Sequence, residues 1–583
     1  MTRLNRAFKD PINEDTPFDR LLRAEIGRYT GGLSPVALAL AFADWSMHLG
    51  LSPNRQAEIM RKGVRKSLRL AAYLGRCATG DGSQRCIEPL PQDNRFDAPE
   101  WQQWPFSMFH QAFLLQQQWW HVATTGVSGV EPHHEEVVNF MMRQWLDVLS
   151  PANFLPTNPE VLKATFESGG MNLWRGAANF IEDTQRSLGQ SQAPESEQFK
   201  VGRDLAATPG QVIYRNALME LIQYAPSTKT VHPEPLLIVP AWIMKYYILD
   251  LRPERSLVEY LVGQGHTVFV VSWKNPGPDE RDYGMDDYRR LGVMDALKVV
   301  NAVVPERKVH AVGYCLGGTL LSLAAAAMAR DSDDRLASMT LLAAQTDFTE
   351  PGELDLFVDD AQVAFLEDVM WARGYLSRDQ MAAAFALLRS QDLVWSRMVR
   401  HYLLGERETL FDLMAWNMDS TRLPYRMHSE YLRELFLEND LVEARYDIDG
   451  RPVALGDIDI PIFTVATKKD HIAPWESVYK IVRHARTPVT FLLTEGGHNA
   501  GIVTHPRHPH RTYQMHDFQP SDKSLSTDAF LRNEDTHTGS WWLPWQAWLA
   551  KRSGSRVKPP TMGAPDAGHP PITAAPGEYV LER

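Results

Sequence analysis

The sequence predicts an α/β protein, a doubly wound and mainly parallel sheet with an inserted helical cap and a helical N-terminal domain. Three observations carry that expectation. Apolar, β-branched runs such as Leu236-Leu237-Ile238-Val239 and Thr267-Val268-Phe269-Val270-Val271-Ser272 alternate with helical stretches such as Ser256 to Gln264, the pattern of strands joined by crossover helices. Gly313-Tyr314-Cys315-Leu316-Gly317 places a glycine-framed turn between a strand pattern, Val309 to Val312, and an Ala- and Leu-rich helix pattern, Leu320 to Met328. More than a hundred residues of mostly helical pattern then separate the strand ending near Ala343 from the next at Ile462, far more than a β–α connection needs.

Taken in order, residues 1–95 read as a helical segment and linker. Ser34-Pro35 and Ser52-Pro53 each open a helix, and Cys77 to Asp97 is rich in Gly, Pro and polar residues. Residues 96–205 read as a helical domain. Trp101, Trp104, Phe106, Phe109, Phe113, Trp119 and Trp120 crowd its first stretch, readable as a packed helix or as an apolar face for a partner. A helix over Val137 to Leu149, a proline-rich turn over Ser150 to Glu160, a helix over Pro159 to Gly169 and a polar linker at Gly189–Glu197 follow. Residues 206–555 carry the strands: Val212 to Tyr214, Leu218 to Tyr224, the two runs above, Val309 to Val312, Ser338 to Ala343, Ile462 to Ala466 and Val489 to Leu493. The insertion, about 355–447, reads as a cap, because ligands bind at the carboxyl ends of such strands. Residues 556–583 read as an extended strap.

Composition narrows the function. At 583 residues with 44% hydrophobic content, the chain supports more than one core. A net charge of −12 argues against a general nucleic-acid binder. Three cysteines, Cys77, Cys86 and Cys315, imply no disulfide framework, and no set of residues suggests a metal or a bound cofactor. The N-terminus lacks the apolar core of a leader, and Leu33 to Leu51 is too polar to span a bilayer, so a cytoplasmic protein is expected.

The turn at Cys315 has the form of a nucleophile elbow with sulfur in place of the usual serine oxygen. A side chain at Gly313 or Gly317 would collide with the neighbouring strand or helix. A nucleophilic Cys needs a base, and the base needs an orienting group. Asp470 follows the strand pattern at Ile462 and His498 follows the one at Val489, in the chain order expected of an α/β-hydrolase fold. His505, His508, His510 and His516 read as surface loop residues, and His471 as a residue lining the site. The Leu316 N–H and the N–H of Ile243 or Trp242 are the expected oxyanion donors, Ile243 being preferred. Lys245 and Tyr246 are candidates for an anionic substrate handle, and Trp416 for the cap side of the channel. Sulfur at the elbow exchanges one thioester for another at little net cost, which favours acyl transfer over hydrolysis.

Gly313-Tyr314-Cys315-Leu316-Gly317-Gly318-Thr319 resembles the lipase-like box of polyhydroxyalkanoate synthases, the polymerases of bacterial storage polyesters. Val239 to Leu251, Gly265 to Pro276, Ser150 to Pro159, Ala415 to Thr421, the Asp470 and His498 segments, Gly539-Ser540-Trp541-Trp542 and Ala575 to Val580 resemble it in the same order, from about residue 104 onward. Ala241-Trp242 and Leu316 depart from the family's Pro-Cys and Val, and the first 95 residues match least. The resemblance, closest to class I enzymes, implies Cys315 as the acylated nucleophile and His498 as its base. It leaves Asp470 either as the partner of His498 or as the group activating the chain hydroxyl. It further implies short 3-hydroxyacyl-CoA as substrate, a growing polyester chain and granule surface as partners, and a homodimer. The competing readings are a Cys-His-Asp thioesterase or dienelactone-type hydrolase, and a non-catalytic granule-coat protein.

Overall fold

Strands buried on both faces read as continuous apolar runs, and this chain has six of them side by side. The computed structural model describes residues 17–79, 85–187, 198–407, 409–508, 510–521 and 525–583. The expected linker at Gly189–Glu197 and the N-terminal stretch Met1–Asp10 lie outside the described residues. The sheet strands are β1 (Gly210–Arg215), β2 (Met219–Tyr224), β3 (Leu236–Val239), β4 (Val268–Trp273), β5 (Val309–Tyr314), β6 (Leu336–Leu342), β7 (Ile462–Thr467), β8 (Val489–Thr494), β9 (Thr512–Phe518), β10 (His537–Thr538) and β11 (Thr573–Ala574). Among the described residues they form one 11-stranded sheet in the order β10-β9-β8-β7-β6-β5-β3-β4-β2-β1-β11. Its centre, from β4 to β8, is parallel. Both flanks are antiparallel, so the sheet as a whole is mixed. The α/β-hydrolase fold expected from the elbow is the fold found.

The described chain divides into two compact units. One holds the sheet and comprises residues up to 32, 195–381 and 410–583; the other comprises 33–194 and 382–409. In the sheet unit, helix α1 (Pro17–Thr30) packs on the helix Asp360–Arg373. Arg23 donates to Asp368 Oδ2 at 2.6 Å, and Gly27 lets Val369 approach. The mixed charge that hid α1 in the sequence is what docks it.

In the helical unit, α2 (Pro35–Gly50), α3 (Pro53–Ala78), α4 (Phe106–Thr124), α5 (Pro132–Val148), α6 (Pro159–Glu167) and α7 (Met171–Ser187) follow one another. Ser34 caps α2 by accepting from Ala37 N, and Asn158 caps α6 by accepting from Glu160 N and Val161 N. Much of the aromatic stretch is core: Trp101, Phe113 and Leu114 pack with Phe96, Leu146 and Ala152, while Trp104 stands exposed. The middle of the insertion docks here. Asn172 Nδ2 donates to Leu403 O and Asn179 Nδ2 to His401 O, and a side chain at Gly176 would strike the Tyr402 carbonyl. The insertion itself is mostly helical, with several π-helical turns and a two-stranded pairing of Tyr375–Leu376 with Leu423–Pro424.

At the start of the central strands three histidines are buried together. The His232 and His266 rings stack with centroids 4.6 Å apart. His310 Nδ1 lies 2.7 Å from Ser338 Oγ and its Nε2 lies 3.3 Å from Ser553 Oγ. Burial drives all three toward the neutral form, His266 down to about 3 and His310 to about 4. Among the described residues no helix is long and apolar enough to cross a membrane, and no group of three His, Cys, Asp or Glu side chains is placed to hold a metal ion.

Candidate active site

The turn between β5 and the helix Leu316–Arg330 holds Cys315 at φ 51° and ψ −124°, a conformation that costs a non-glycine residue about 1–3 kcal/mol. The surrounding structure over-determines it. Cys315 N donates to Leu342 O of β6 at 2.9 Å, and Gly318 N donates back to Cys315 O at 2.8 Å. A Cβ on Gly313 would lie 2.3 Å from Gly318 Cα, and one on Gly317 would lie 2.1 Å from Val239 O and 2.6 Å from Pro240 O. The elbow is thus pressed against the end of β3, where the Pro240–Ile243 loop begins. Gly317→Ala is expected to force that loop aside and to destabilise the fold by about 3 kcal/mol or more, read by urea unfolding; an unchanged midpoint would contradict the packing described.

His498 comes from the far side. Gly496 at φ 108° turns the chain after β8, and its Cβ would lie within 2.9 Å of Gly501 Cα. His498 then points inward, 7% exposed, with Nδ1 at 2.8 Å from Asp470 Oδ2. Cys315 lies close enough to His498 to act on its charge. Asp470 accepts three further hydrogen bonds, from Thr467 Oγ1 at 3.0 Å, Ile472 N at 3.0 Å and Ala473 N at 2.9 Å. Burial favours the neutral carboxyl of Asp470, but the charge and hydrogen bond of His498 and the two backbone donors hold it below its usual value. Burial likewise opposes the imidazolium of His498, yet Asp470 and the Cys315 sulfur raise its pKa well above the ordinary histidine range. Cys315, His498 and Asp470 are therefore brought together, the last two joined by a hydrogen bond.

The other sequence candidates separate into two groups. Trp242 and Ile243 lie in the loop beside the elbow, Trp242 buried against Tyr288 and Tyr431. Thr421 holds that loop from the insertion, its N–H donating to Ile243 O and its Oγ1 to Trp242 O at 2.6 Å. His471 is half-buried next to Asp470. Lys245 is not presented to a ligand: its ammonium, buried and pushed below its usual pKa, donates to the carbonyls of Tyr579 at 3.1 Å and Glu582 at 2.9 Å. Tyr246 is enclosed in the apolar layer under the sheet with Tyr224 and Leu249. Trp416 is buried too, and its indole N–H donates to Lys245 O at 2.8 Å. These three support the loop from behind. The C-terminal strap reaches the same region, with Glu220 of β2 accepting from Glu578 N and Tyr579 N.

Two further corrections concern histidines. His516 belongs to β9, half-buried with Nδ1 2.8 Å from Glu534 Oε1, rather than to a surface loop. His505 is half-buried between Tyr260 and Trp542. Asp347, another buried aspartate after a strand, has its own partners in His484, Thr349 and Asn439. The sequence reading missed Tyr314 and Asn499, whose side chains meet beside His498. Adjacency to Cys315 and to His498 was visible, but nothing in the spacing paired them.

A cysteine on a strand-to-helix elbow, with an aspartate and a histidine after two later parallel strands, has the arrangement of the α/β-hydrolase class. The α/β hydrolase fold family model matches residues 234–503. Two further models match, the poly-beta-hydroxybutyrate polymerase N-terminus over residues 92–261 and the poly-beta-hydroxybutyrate polymerase N-terminal segment over residues 13–55. The likeness therefore reaches into the first 95 residues, earlier than the motifs alone indicated. The chain is 38% identical over 540 residues to the poly(3-hydroxyalkanoate) polymerase of Methylorubrum extorquens, spanning 90% of this chain and 88% of that one. It is 40% identical over 505 residues to the PhaC subunit of the Rhizobium etli polymerase, at 85% and 78% coverage. To the PhaC subunit of Cupriavidus necator it is 37% identical over 510 residues, at 86% and 85%. The chain belongs to the poly(3-hydroxyalkanoate) polymerase family, a family of acyltransferase enzymes.

Proposed function

We propose that the chain polymerises (R)-3-hydroxyacyl-CoA, short substrates such as 3-hydroxybutyryl-CoA in particular, releasing CoA and carrying the acyl group on Cys315. The observation that carries this reading is the Asp470–His498 hydrogen bond set beside Cys315 on its strand-to-helix elbow. His498, its pKa raised well above the ordinary range, already holds the thiol proton when sulfur attacks the thioester carbonyl. The bond to CoA breaks, and His498 returns the proton to the departing thiolate. The product is another thioester, so the acyl group stays activated. His498 next removes the proton of a hydroxyl on a second acyl unit, whose oxygen attacks the acyl-Cys315 carbonyl; an ester forms and the thiol is regenerated.

The Leu316 N–H, first amide of its helix and so without an intrahelical acceptor, and the Ile243 N–H receive the developing oxyanion. Asp470 orients His498 instead of activating the chain hydroxyl. A carboxylate offers about four acceptor sites, and hydrogen bonds from His498, Thr467, Ile472 and Ala473 take them up. Trp242 and His471 face the acyl unit, and the reaction uses side chains and backbone amides with no cofactor. Exposed Phe166, Trp174 and Phe180 suit an apolar polymer surface, in keeping with a cytoplasmic enzyme at polyester granules working as a homodimer. Dimer mass by light scattering with substrate present is the expected result; a monomer would count against it.

The deciding experiment is turnover of purified protein on 3-hydroxybutyryl-CoA. CoA release with insoluble polyester is expected, and Cys315→Ala should lower it by about three orders of magnitude or more. CoA release yielding only free hydroxyacid would make the protein a hydrolase, and no turnover at all would make it a coat protein.

A further inference from the structure

The residue before the nucleophile grips the residue after the base. Tyr314 ends β5 and Asn499 follows His498, and Tyr314 Oη donates to Asn499 Oδ1 at 2.6 Å. The Tyr314 ring also lies beside the His498 imidazole, with centroids 5.8 Å apart and planes inclined by 31°. The Nδ1 contact with Asp470 fixes one nitrogen of the His498 ring. Asp470 belongs to the loop after β7, whereas Cys315 belongs to the turn after β5. Nothing in the Asp470 contact therefore sets the distance between imidazole and sulfur.

We propose that Tyr314 and Asn499 form a cross-brace that sets the spacing of Cys315 and His498, making Tyr314 a positioning residue for both acyl-transfer steps. This rests on the Cys315–His498 chemistry proposed above. The brace ties the backbone of the nucleophile turn directly to that of the base loop, and the ring closes off one face of the imidazole. The phenol is buried, 3% exposed. Burial, and after it the neighbouring Cys315 charge, pushes its pKa far above the ordinary tyrosine value. It therefore stays protonated throughout, and acts as a fixed donor to Asn499 with no part in moving protons. Reacting groups must be held to a fraction of an ångström, so loss of one hydrogen bond in such a brace shows in the rate.

The test compares Tyr314→Phe, Asn499→Ala, the double variant and Cys315→Ala on 3-hydroxybutyryl-CoA. Tyr314→Phe keeps the ring and removes only the donor. The expected result is a fall in kcat of about tenfold in each single variant, with KM within about twofold and the initial CoA burst still stoichiometric with enzyme. The double variant should be no slower than the slower single one, since both lose the same bond. A reduced burst with an unchanged rate per active site would mark a merely structural role and overturn the proposal. So would single variants with wild-type kcat, or additive losses in the double variant. Should Tyr314→Phe not fold, Asn499→Ala alone decides by the same criteria. Full activity of Cys315→Ala would instead remove the reading on which the brace rests, leaving the two failures distinguishable.

Discussion

Asp470→Asn is expected to lower kcat for CoA release by about three to four orders of magnitude, with KM and thermal stability nearly unchanged. The direction of the amide decides this. Asp470 Oδ1 accepts from the backbone N–H groups of Ile472 and Ala473, so an asparagine must place its carbonyl oxygen there. Its NH2 then faces His498 Nδ1, where the carboxylate Oδ2 stood at 2.8 Å. A donor at that point forces Nδ1 to accept, which puts the histidine proton on Nε2. The nitrogen that should receive the thiol proton is then already protonated, and the base is lost with the geometry intact. Steady-state kinetics beside a melting curve checks it, and an Asn variant keeping a tenth of the wild-type kcat would exclude Asp470 as the orienting group.

Between pH 6.5 and 4.5 the unfolding free energy is expected to fall by roughly 3–5 kcal/mol, driven by the histidines buried below the sheet. His266 at about 3 and His310 at about 4 bind their protons less readily folded than unfolded, where histidine titrates near 6.5. Their contribution is complete above the unfolded pKa and is lost as pH falls toward the folded values. Each proton taken up only by the unfolded chain costs about 1.4 kcal/mol per pH unit. Arg556, Arg552 and the other two rings oppose protonation, while Glu234 alone favours it at His232. His498 has the opposite sign: its stabilisation is complete below 6.5 and is lost as pH rises through its elevated pKa, so it does not mask the acid limb. Urea titrations at the two pH values measure the effect, and a flat profile would show that protons reach the stacked rings without opening the fold.

What was legible in the sequence followed from local rules. The central strands are apolar on both faces, so their runs stand out without any partner being known. The elbow glycines announce themselves because no side chain fits, and Asp470 and His498 because each follows a strand. What stayed hidden depended on distant partners. α1 is masked in the sequence by its mixed charge, which is accounted for only by the distant Asp368 that pairs with its arginines. β9 reads polar because one of its faces is solvated, and its register is supplied by β8. Lys245 resembled a substrate ligand beside the nucleophile loop, yet its acceptors are carbonyls more than three hundred positions away. No periodicity encodes such a contact.

The strap also closes one edge of the sheet. β1 has β2 on one side only; its other edge is paired by Gln211 with Ala574 and Val212 with Thr573. Strap and sheet are joined by residues as much as 363 positions apart, Asn216 and Tyr579. Closing so long a loop is slow, and until it closes β1 presents a bare row of amides and carbonyls to any other extended chain. The strap is thus a built-in edge guard. Nascent copies of this chain, at high local concentration, depend on it arriving before a neighbour's strand does.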